Sequence, residues 1–98
     1  MRLRLSKNAD ADLDEIWLYL AKETGSQDLA TRAIGQMSKS FDILLRFPYA
    51  GRGHGTAKHP DLRSYPCGDY LIFYRLSKGI LHVVRVVHGK RDLRRSGV

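Results

Sequence analysis

The feature that most constrains the fold is a pair of apolar runs, Tyr70–Leu76 and Ile80–His88, joined by Ser77-Lys78-Gly79. Both runs are rich in β-branched and aromatic residues, which suit a buried pleated surface. A three-residue connection that ends in glycine is typical of a hairpin loop, because glycine takes the left-handed backbone conformation without steric cost. The stretch therefore predicts a β-hairpin.

A three-residue loop also fixes the predicted register, in which Leu76 lies opposite Ile80. Alternation of side chains then gives one nearly apolar face, which we expect to face the core: Tyr70, Ile72, Tyr74, Leu76, Ile80, His82, Val84 and Val86. The opposite face carries Arg75 and Arg85. Because an arginine is not buried unpaired at tolerable cost, this face is expected to meet water or an acidic partner.

The rest of the chain supplies one more short strand, two helices and a further strand before the hairpin. Alternating basic and apolar residues predict the first strand, and apolar residues at helical spacing predict the helices. The predicted bounds are strand 2–6, helices 9–24 and 27–47, strands 62–66, 69–76 and 80–88, and a basic tail 89–98. This β-α-α-β-β-β order indicates one α+β domain, with a helical hairpin packed on one face of an antiparallel sheet. The pattern does not give the position of the first strand.

Two segments invite a functional interpretation that a structural one outweighs. Asp10, Asp12, Asp14 and Glu15 resemble a carboxylate cluster, but acidic residues at a helix start are favoured by the helix dipole. The glycine-rich basic segment 49–60 resembles a phosphate cradle, but it lacks the spacing of a phosphate-binding loop. We expect a plain flexible connection there.

Composition narrows the class of protein. The chain has 98 residues and a formal charge of +7, which favours anionic partners. Cys67 is the single cysteine, so no internal disulfide is expected. No stretch has the apolar length of a signal peptide or a membrane span. We expect a cytoplasmic protein without membrane contact.

Familiar catalytic and metal-binding patterns do not match. His82 and His88 lie on one predicted strand about 20 Å apart, too far to share an ion. His54 and His59 have no partner at a usual ligand spacing, and no nucleophile elbow is present. The sequence therefore predicts no metal, no cofactor and no catalytic residue, and an enzyme is less expected than a binding protein.

The end of the last predicted strand is the strongest candidate for a functional surface. Basic side chains follow the strand immediately, and Arg75 and Arg85 were expected to converge with them at one end and on one face of the sheet. The alternative is an ordinary solvated tail. The predicted target-binding residues are His88, Lys90, Arg91, Asp92, Arg94 and Arg95.

Short motifs along nearly the whole chain complete the sequence signal. They are Ala11-Asp12-Leu13, Ile16, Phe47-Pro48, Gly51-Arg52, Leu62-Arg63-Ser64, Gly68, Tyr70-Leu71-Ile72-Phe73-Tyr74-Arg75, Arg85-Val86-Val87-His88-Gly89 and Arg91-Asp92-Leu93. As a combined pattern, they resemble the RelE/ParE superfamily of toxins from type II toxin–antitoxin systems, and most closely its ParE branch.

The resemblance implies a growth-inhibiting, plasmid-stabilising toxin that a ParD-like antitoxin neutralises. ParE-branch toxins poison DNA gyrase, whereas RelE-branch toxins cleave mRNA on the ribosome with lysines, arginines and a C-terminal tyrosine. Only Arg91 matches that catalytic set; the other positions hold Leu62, Ser64, Leu71 and, near the tyrosine, Gly97. Gyrase inhibition is therefore favoured. A ribosome-dependent mRNA endoribonuclease is the first alternative, and a basic nucleic-acid-binding module the second, although direct nucleic-acid binding is not expected.

An acidic, initially disordered antitoxin segment suits so basic a chain. We expect it to lay an amphipathic helix in a groove between the helices and to pair its carboxylates with two arginines. Trp17 is either a core residue or part of that groove. The predicted antitoxin-binding residues are Trp17, Leu20, Phe41, Leu45, Arg75 and Arg85.

Overall fold

The computed structural model describes residues 1–55 and 57–90, and over these residues two helices cover one face of a five-stranded sheet. The elements are β1 (Arg2–Leu5), α1 (Lys7–Thr24), α2 (Gln27–Arg46), β2 (Arg52–Gly53), β3 (Arg63–Cys67), β4 (Tyr70–Ser77) and β5 (Ile80–His88). The predicted α+β class, with a helical hairpin on a sheet, is confirmed.

Local capping sets the ends of both helices. The Ser6 hydroxyl accepts a hydrogen bond from the Ala9 N–H, so α1 begins two residues earlier than predicted. Gly25, at φ 68°, ends α1 in the left-handed conformation, and the Ser26 hydroxyl then accepts from the Leu29 N–H to start α2. Only Gly25 and Ser26 connect the two helices, and so short a connection makes them pack side by side as an antiparallel pair.

The sheet is mixed rather than purely antiparallel. Its strand order is β1-β5-β4-β3-β2, and β1 runs parallel to β5, while the other neighbours are antiparallel. The first strand of the chain, whose place the sequence pattern left open, therefore lies at an edge beside the last described strand. The Ser6 N–H donates to the Val83 carbonyl, which continues this pairing into the start of α1.

The predicted hairpin is present, but its predicted register is wrong. Ser77 pairs with Ile80, so the loop has two residues, Lys78 and Gly79, and Leu76 lies opposite Leu81. Both loop residues have positive φ, at 51° and 74°, as a type I′ turn requires. The two-residue turn follows the right-handed twist of the strands better than the predicted three-residue loop.

The change of register moves the first half of β5 to the other face. Leu81 and Val83 face the core instead of Ile80, His82 and Val84. A β-bulge at Val84 then inserts one unpaired residue, since Tyr74 pairs with Val83 and Phe73 with Arg85. The core contains these buried residues: Ala9, Ile16, Met37, Phe41, Leu44, Ile72, Tyr74, Leu81, Val83 and Val86.

The segment 49–60 is not only a plain connection, because Arg52–Gly53 forms strand β2 on β3. The Tyr74 hydroxyl reaches this segment from the core; it donates to the Pro48 carbonyl at 2.7 Å and accepts from the Gly51 N–H at 2.9 Å. A Cβ atom at Gly51 would come within 2.7 Å of the Ser64 carbonyl oxygen, so the close approach requires glycine.

Candidate functional site

The predicted target-binding surface begins where β5 ends. His88 is the last residue of β5, and Lys90 follows it, whereas Arg91, Asp92, Arg94 and Arg95 lie outside the described residues. The His88 ring contacts Tyr70 edge-on, with centroids 5.4 Å apart, and its Nδ1 accepts from the Lys90 N–H at 3.3 Å. These contacts fix the direction in which the chain leaves the sheet.

A shallow cavity of about 250 Å³ lies at the same end of the hairpin. Tyr70, Leu71, His88 and Lys90 are among its lining residues. The Gly89 N–H donates to the Asp69 carbonyl at 2.8 Å, which holds the end of β5 against the turn that precedes β4. Leu71 stands where the resemblance to RelE-type enzymes would place an arginine, and it contributes an apolar side chain to this cavity.

The expected convergence of Arg75 with this end of the sheet is wrong. Arg75 pairs with His82 near the hairpin loop, whereas Tyr70 pairs with His88 at the opposite end. The two positions are five residue steps apart on β4, a distance of about 17 Å along a strand. Arg75 instead lies 3.5 Å from the Asp61 carboxylate, in an ion pair whose two side chains are 41% and 47% exposed.

Arg85 already has a carboxylate partner within the chain. Its Nε and a terminal guanidinium nitrogen donate to the two Asp12 carboxylate oxygens at 2.8 and 2.9 Å. The Asp12 side chain is 10% exposed and that of Arg85 36%. Such a bidentate pair is the strong form of an ion pair. The role predicted for Arg85, binding the carboxylates of an antitoxin, would therefore require competition with Asp12.

Asp12 also completes the edge of β5. The strand β1 pairs with β5 only as far as Val83, and beyond that point the Asp12 carboxylate accepts from the Val86 N–H at 2.9 Å. The Ser6 hydroxyl likewise donates to the Val84 carbonyl at 2.7 Å. The helix-dipole interpretation therefore does not explain Asp12, which tethers α1 to β5. In the sequence, only its place in the Ala11-Asp12-Leu13 motif distinguishes Asp12 from the neighbouring acidic residues Asp10, Asp14 and Glu15.

The apolar residues predicted to bind an antitoxin are mostly part of the core. Phe41 is buried, and Leu20 and Leu45 pack against the core cluster. Trp17 is half-buried, and its Nε1–H donates to the Thr31 hydroxyl at 3.1 Å, which joins the two helices. A partner could therefore contact only the exposed parts of Trp17, Leu20 and Leu45.

Other large apolar side chains are exposed, and none of them is among the predicted site residues. On the helices they are outside the apolar stripe, so only their departure from the helical spacing could have drawn attention to them. They are Met1, Leu3, Leu5, Leu18, Tyr19, Leu29, Ile43, Phe47 and Tyr49.

A histidine–serine pair lies on the sheet face that the helices leave uncovered. The ring Nε2 of His54 and the Ser64 hydroxyl are 2.5 Å apart, and the His54 ring contacts Phe73 at 5.8 Å. Ser64 is only 4% exposed, which leaves little access to a substrate. Among residues 1–55 and 57–90, no three His, Cys, Asp or Glu side chains are grouped as metal ligands, and no helix has the length and apolarity to span a bilayer.

Taken together, these features describe a small basic α+β domain with two helices on one face of a five-stranded sheet. A family model for the ParE toxin of the type II toxin–antitoxin system parDE matches residues 3–93. The chain therefore belongs to the ParE toxin family, as the motif resemblance implied.

Similar proteins agree with this assignment. Toxin ParE1 of Mycobacterium tuberculosis is 31% identical over 96 residues, which cover 97% of this chain and 96% of that protein. Toxin ParE1 of Caulobacter vibrioides is 28% identical over 91 residues, 93% of this chain and 92% of the relative. A solved structure, the chromosomal ParDE system from P. aeruginosa, matches the fold with a TM-score of 0.76 at 20% identity, over 90% of this chain and 95% of that one.

Proposed function

We propose that this chain is a toxin that inhibits DNA gyrase in the cytoplasm and is neutralised by a ParD-like antitoxin. The observation that supports it best is the environment of the positions where RelE-type enzymes carry catalytic cations. Ser64 is buried and hydrogen-bonded to His54, and Leu71 lines an apolar cavity wall. Cleavage of RNA needs acid–base groups and cations at the scissile phosphate, and these positions do not supply them.

The proposed contact surface for gyrase is the region that begins at His88 and Lys90 and includes Arg91, Asp92, Arg94 and Arg95. His88 and Gly89 are held by contacts to Tyr70 and Asp69, so the surface starts from a fixed point on the sheet. A fixed start reduces the conformational entropy that is lost when the basic side chains dock.

The test is gyrase supercoiling in the presence of purified toxin and of two variants. The parent protein should inhibit supercoiling, and Arg91→Ala should weaken inhibition roughly tenfold or more, as loss of an interfacial charge pair does. Lys39→Ala, on an exposed part of α2, is the matched control and should inhibit like the parent. Unaltered supercoiling at micromolar toxin would contradict the proposal.

The endoribonuclease alternative makes a different prediction. After induction of a RelE-type enzyme, primer extension on translated mRNA would show discrete cuts. We expect intact transcripts here. Discrete cuts that disappear in the Arg91→Ala variant would replace gyrase inhibition with mRNA cleavage as the function.

For the antitoxin, we propose that an amphipathic segment covers the helical hairpin near Trp17, Leu20, Phe41 and Leu45, and that its carboxylates reach Arg85 and, on the sheet face away from the helices, Arg75. The weak ion pair between Arg75 and Asp61 leaves Arg75 more available than Arg85, which Asp12 holds bidentately. Charge reversal at Arg75 should therefore weaken antitoxin binding more than charge reversal at exposed Arg32 on α2.

A further inference from the structure

Charge is divided between the two layers of this protein. The helices hold seven of the ten carboxylates in the sequence but only five of the seventeen lysines and arginines. Outside the helices, the described residues hold nine lysines and arginines against two carboxylates, so the sheet and its connections carry a positive surplus. The sheet face away from the helices, called the open face here, presents Arg4, Arg52, His54, Arg75 and His82.

Three of these residues form one row across neighbouring strands. Arg4 on β1 pairs with His82 on β5, and His82 pairs with Arg75 on β4. Paired residues point to the same side of a sheet, and neighbouring strands are about 4.8 Å apart. The three side chains also line one shallow cavity of about 240 Å³, whose floor includes Val83 and Val84.

The Arg75 guanidinium retains unused hydrogen-bonding capacity in this cavity. Its Nε is buried and has no hydrogen-bond partner among the described residues, although the Asp61 carboxylate lies 3.5 Å away. At that distance the contact is an ion pair between half-exposed groups, not a hydrogen bond. Because this contact is weak, the guanidinium can turn its terminal nitrogens towards a phosphate in the cavity.

We propose that Arg4, Arg75 and His82 form a subsite for one phosphate group, supplied by the backbone of a nucleic acid that lies across the open face. The inference does not depend on gyrase being the target. This chain already shows how it binds a carboxylate, because a single arginine, Arg85, engages both oxygens of Asp12. Three basic groups around one cavity exceed what a carboxylate needs, and they suit the charged oxygens of a phosphate.

The extent of the basic surface favours a nucleic acid over a small phosphorylated molecule. Arg52 continues the positive charge on the β2 side of the same face, and His54 lies beside it as a further hydrogen-bonding group. Five strands span about 19 Å, which corresponds to five or six base pairs at about 3.4 Å each. A polyanion with regularly spaced phosphates can contact both ends of such a surface at once.

The experiment measures binding of a fluorescein-labelled DNA duplex of about 20 base pairs by anisotropy, at salt concentrations between about 50 and 200 mM. We expect the double variant Arg4→Gln/Arg75→Gln to bind roughly tenfold more weakly and to lose about 2 from the slope of log K against log salt. Arg32→Gln/Lys39→Gln on α2 removes the same charge and should leave both quantities nearly unchanged. Equal loss in both double variants would overturn the proposal, because net charge alone would then explain it.

Two further variants keep the result independent of folding defects. Asp61→Asn removes the competing carboxylate, so it should strengthen DNA binding severalfold, and unchanged or weaker binding counts against the site. His82→Gln should weaken binding with little change in melting temperature, since the imidazole is half-buried and outside the core cluster. If His82→Gln binds DNA as tightly as the parent, His82 is not part of the subsite and the three-residue assignment is overturned.

Competing ligands decide the source of the phosphate. Inorganic phosphate should shift the amide resonances of Arg4, Arg75 and His82 in heteronuclear NMR spectra, and DNA should shift the same amides at lower concentration. Shifts with phosphate but no DNA binding would overturn the nucleic-acid assignment. Shifts with a glutamate-rich peptide, and none with either phosphate ligand, would overturn the phosphate site in favour of an acidic protein segment.

Discussion

At the scale of single residues, the Asp12 carboxylate serves two parts of β5 at once. It accepts hydrogen bonds from Nε and a terminal nitrogen of Arg85, and a third from the backbone N–H of Val86. A buried N–H that loses its acceptor costs free energy in full, because water does not reach it. The residue therefore matters more to the fold than its position in a solvent-facing acidic run suggests.

Asp12→Ala should lower the free energy of unfolding by about 2–4 kcal/mol, since it removes the acceptor of the Val86 N–H and the bidentate ion pair with Arg85. Asp12→Asn keeps one acceptor oxygen and should cost less. Asp14→Ala, on the exposed side of α1, is the control and should stay within about 0.5 kcal/mol of the parent. Urea denaturation followed by circular dichroism measures all three, and equal stability of Asp12→Ala and Asp14→Ala would refute the tether.

Two glycines make a second residue-scale comparison. Gly51→Ala should destabilise the protein by about 1–3 kcal/mol, because the added Cβ meets the Ser64 carbonyl at 2.7 Å and the Tyr74 hydroxyl beside it. Gly35→Ala on α2 meets nothing within 4 Å and should stabilise the helix by about 0.5–1 kcal/mol. Thermal melting of the two variants should shift in opposite directions. A shift in the same direction would contradict the close approach at Gly51.

At the scale of elements, the turn of the β4–β5 hairpin holds a lysine in a conformation that favours other residues. Lys78 has φ 51°, which costs a non-glycine residue about 1–2 kcal/mol unless its side chain compensates. Lys78→Asn should raise stability by about 0.5–1 kcal/mol, and Gly79→Ala should lower it by about 1–2 kcal/mol, because asparagine followed by glycine is the preferred type I′ pair. The denaturation midpoint reports both changes. A destabilised Lys78→Asn variant would argue for the three-residue loop.

The elements also separate what the sequence could predict from what it could not. Helix ends depend on residues close in sequence, such as the Ser6 cap and Gly25, and both helices were predicted to within two residues. The hairpin register depended on whether Ser77 belongs to the strand or to the loop, and one residue decides which side chains of β5 face the core. At the bulge, the Val84 carbonyl accepts a hydrogen bond from the Ser6 hydroxyl, which lies 78 residues earlier in the chain. A local sequence pattern cannot predict a contact between residues so far apart.

The candidate site shows the same limit. Phe41 and Trp17 lie on apolar stripes, and a stripe does not state whether it covers the core or a partner. Sequence alternation placed Arg75 and Arg85 together, although Arg75 lies near the hairpin loop and Arg85, beyond the bulge on β5, is bonded to Asp12 of α1. The basic row on the open face joins strands that are distant in sequence, and it became visible only when β1 was placed beside β5.

At the scale of the whole molecule, the separation of charge between layers predicts how the protein meets an acidic antitoxin. The association rate constant should fall roughly tenfold or more between about 50 and 500 mM salt, because screening removes long-range attraction. Arg2→Gln/Arg4→Gln should lower the rate at low salt more than Arg32→Gln/Lys39→Gln does. Stopped-flow tryptophan fluorescence would follow the encounter, and a salt-independent rate would contradict electrostatic steering.

The position of β1 has a consequence for how this domain is made. β1 is separated from its sheet neighbour β5 by both helices and by β2, β3 and β4, so this edge cannot close until the hairpin exists. Partners so far apart in sequence slow folding, since the intervening chain must be ordered before the pairing is gained. A product truncated before Ile80 would leave Arg2–Leu5 with no strand to join, and we expect it to be removed by proteases rather than to persist as a partly formed toxin.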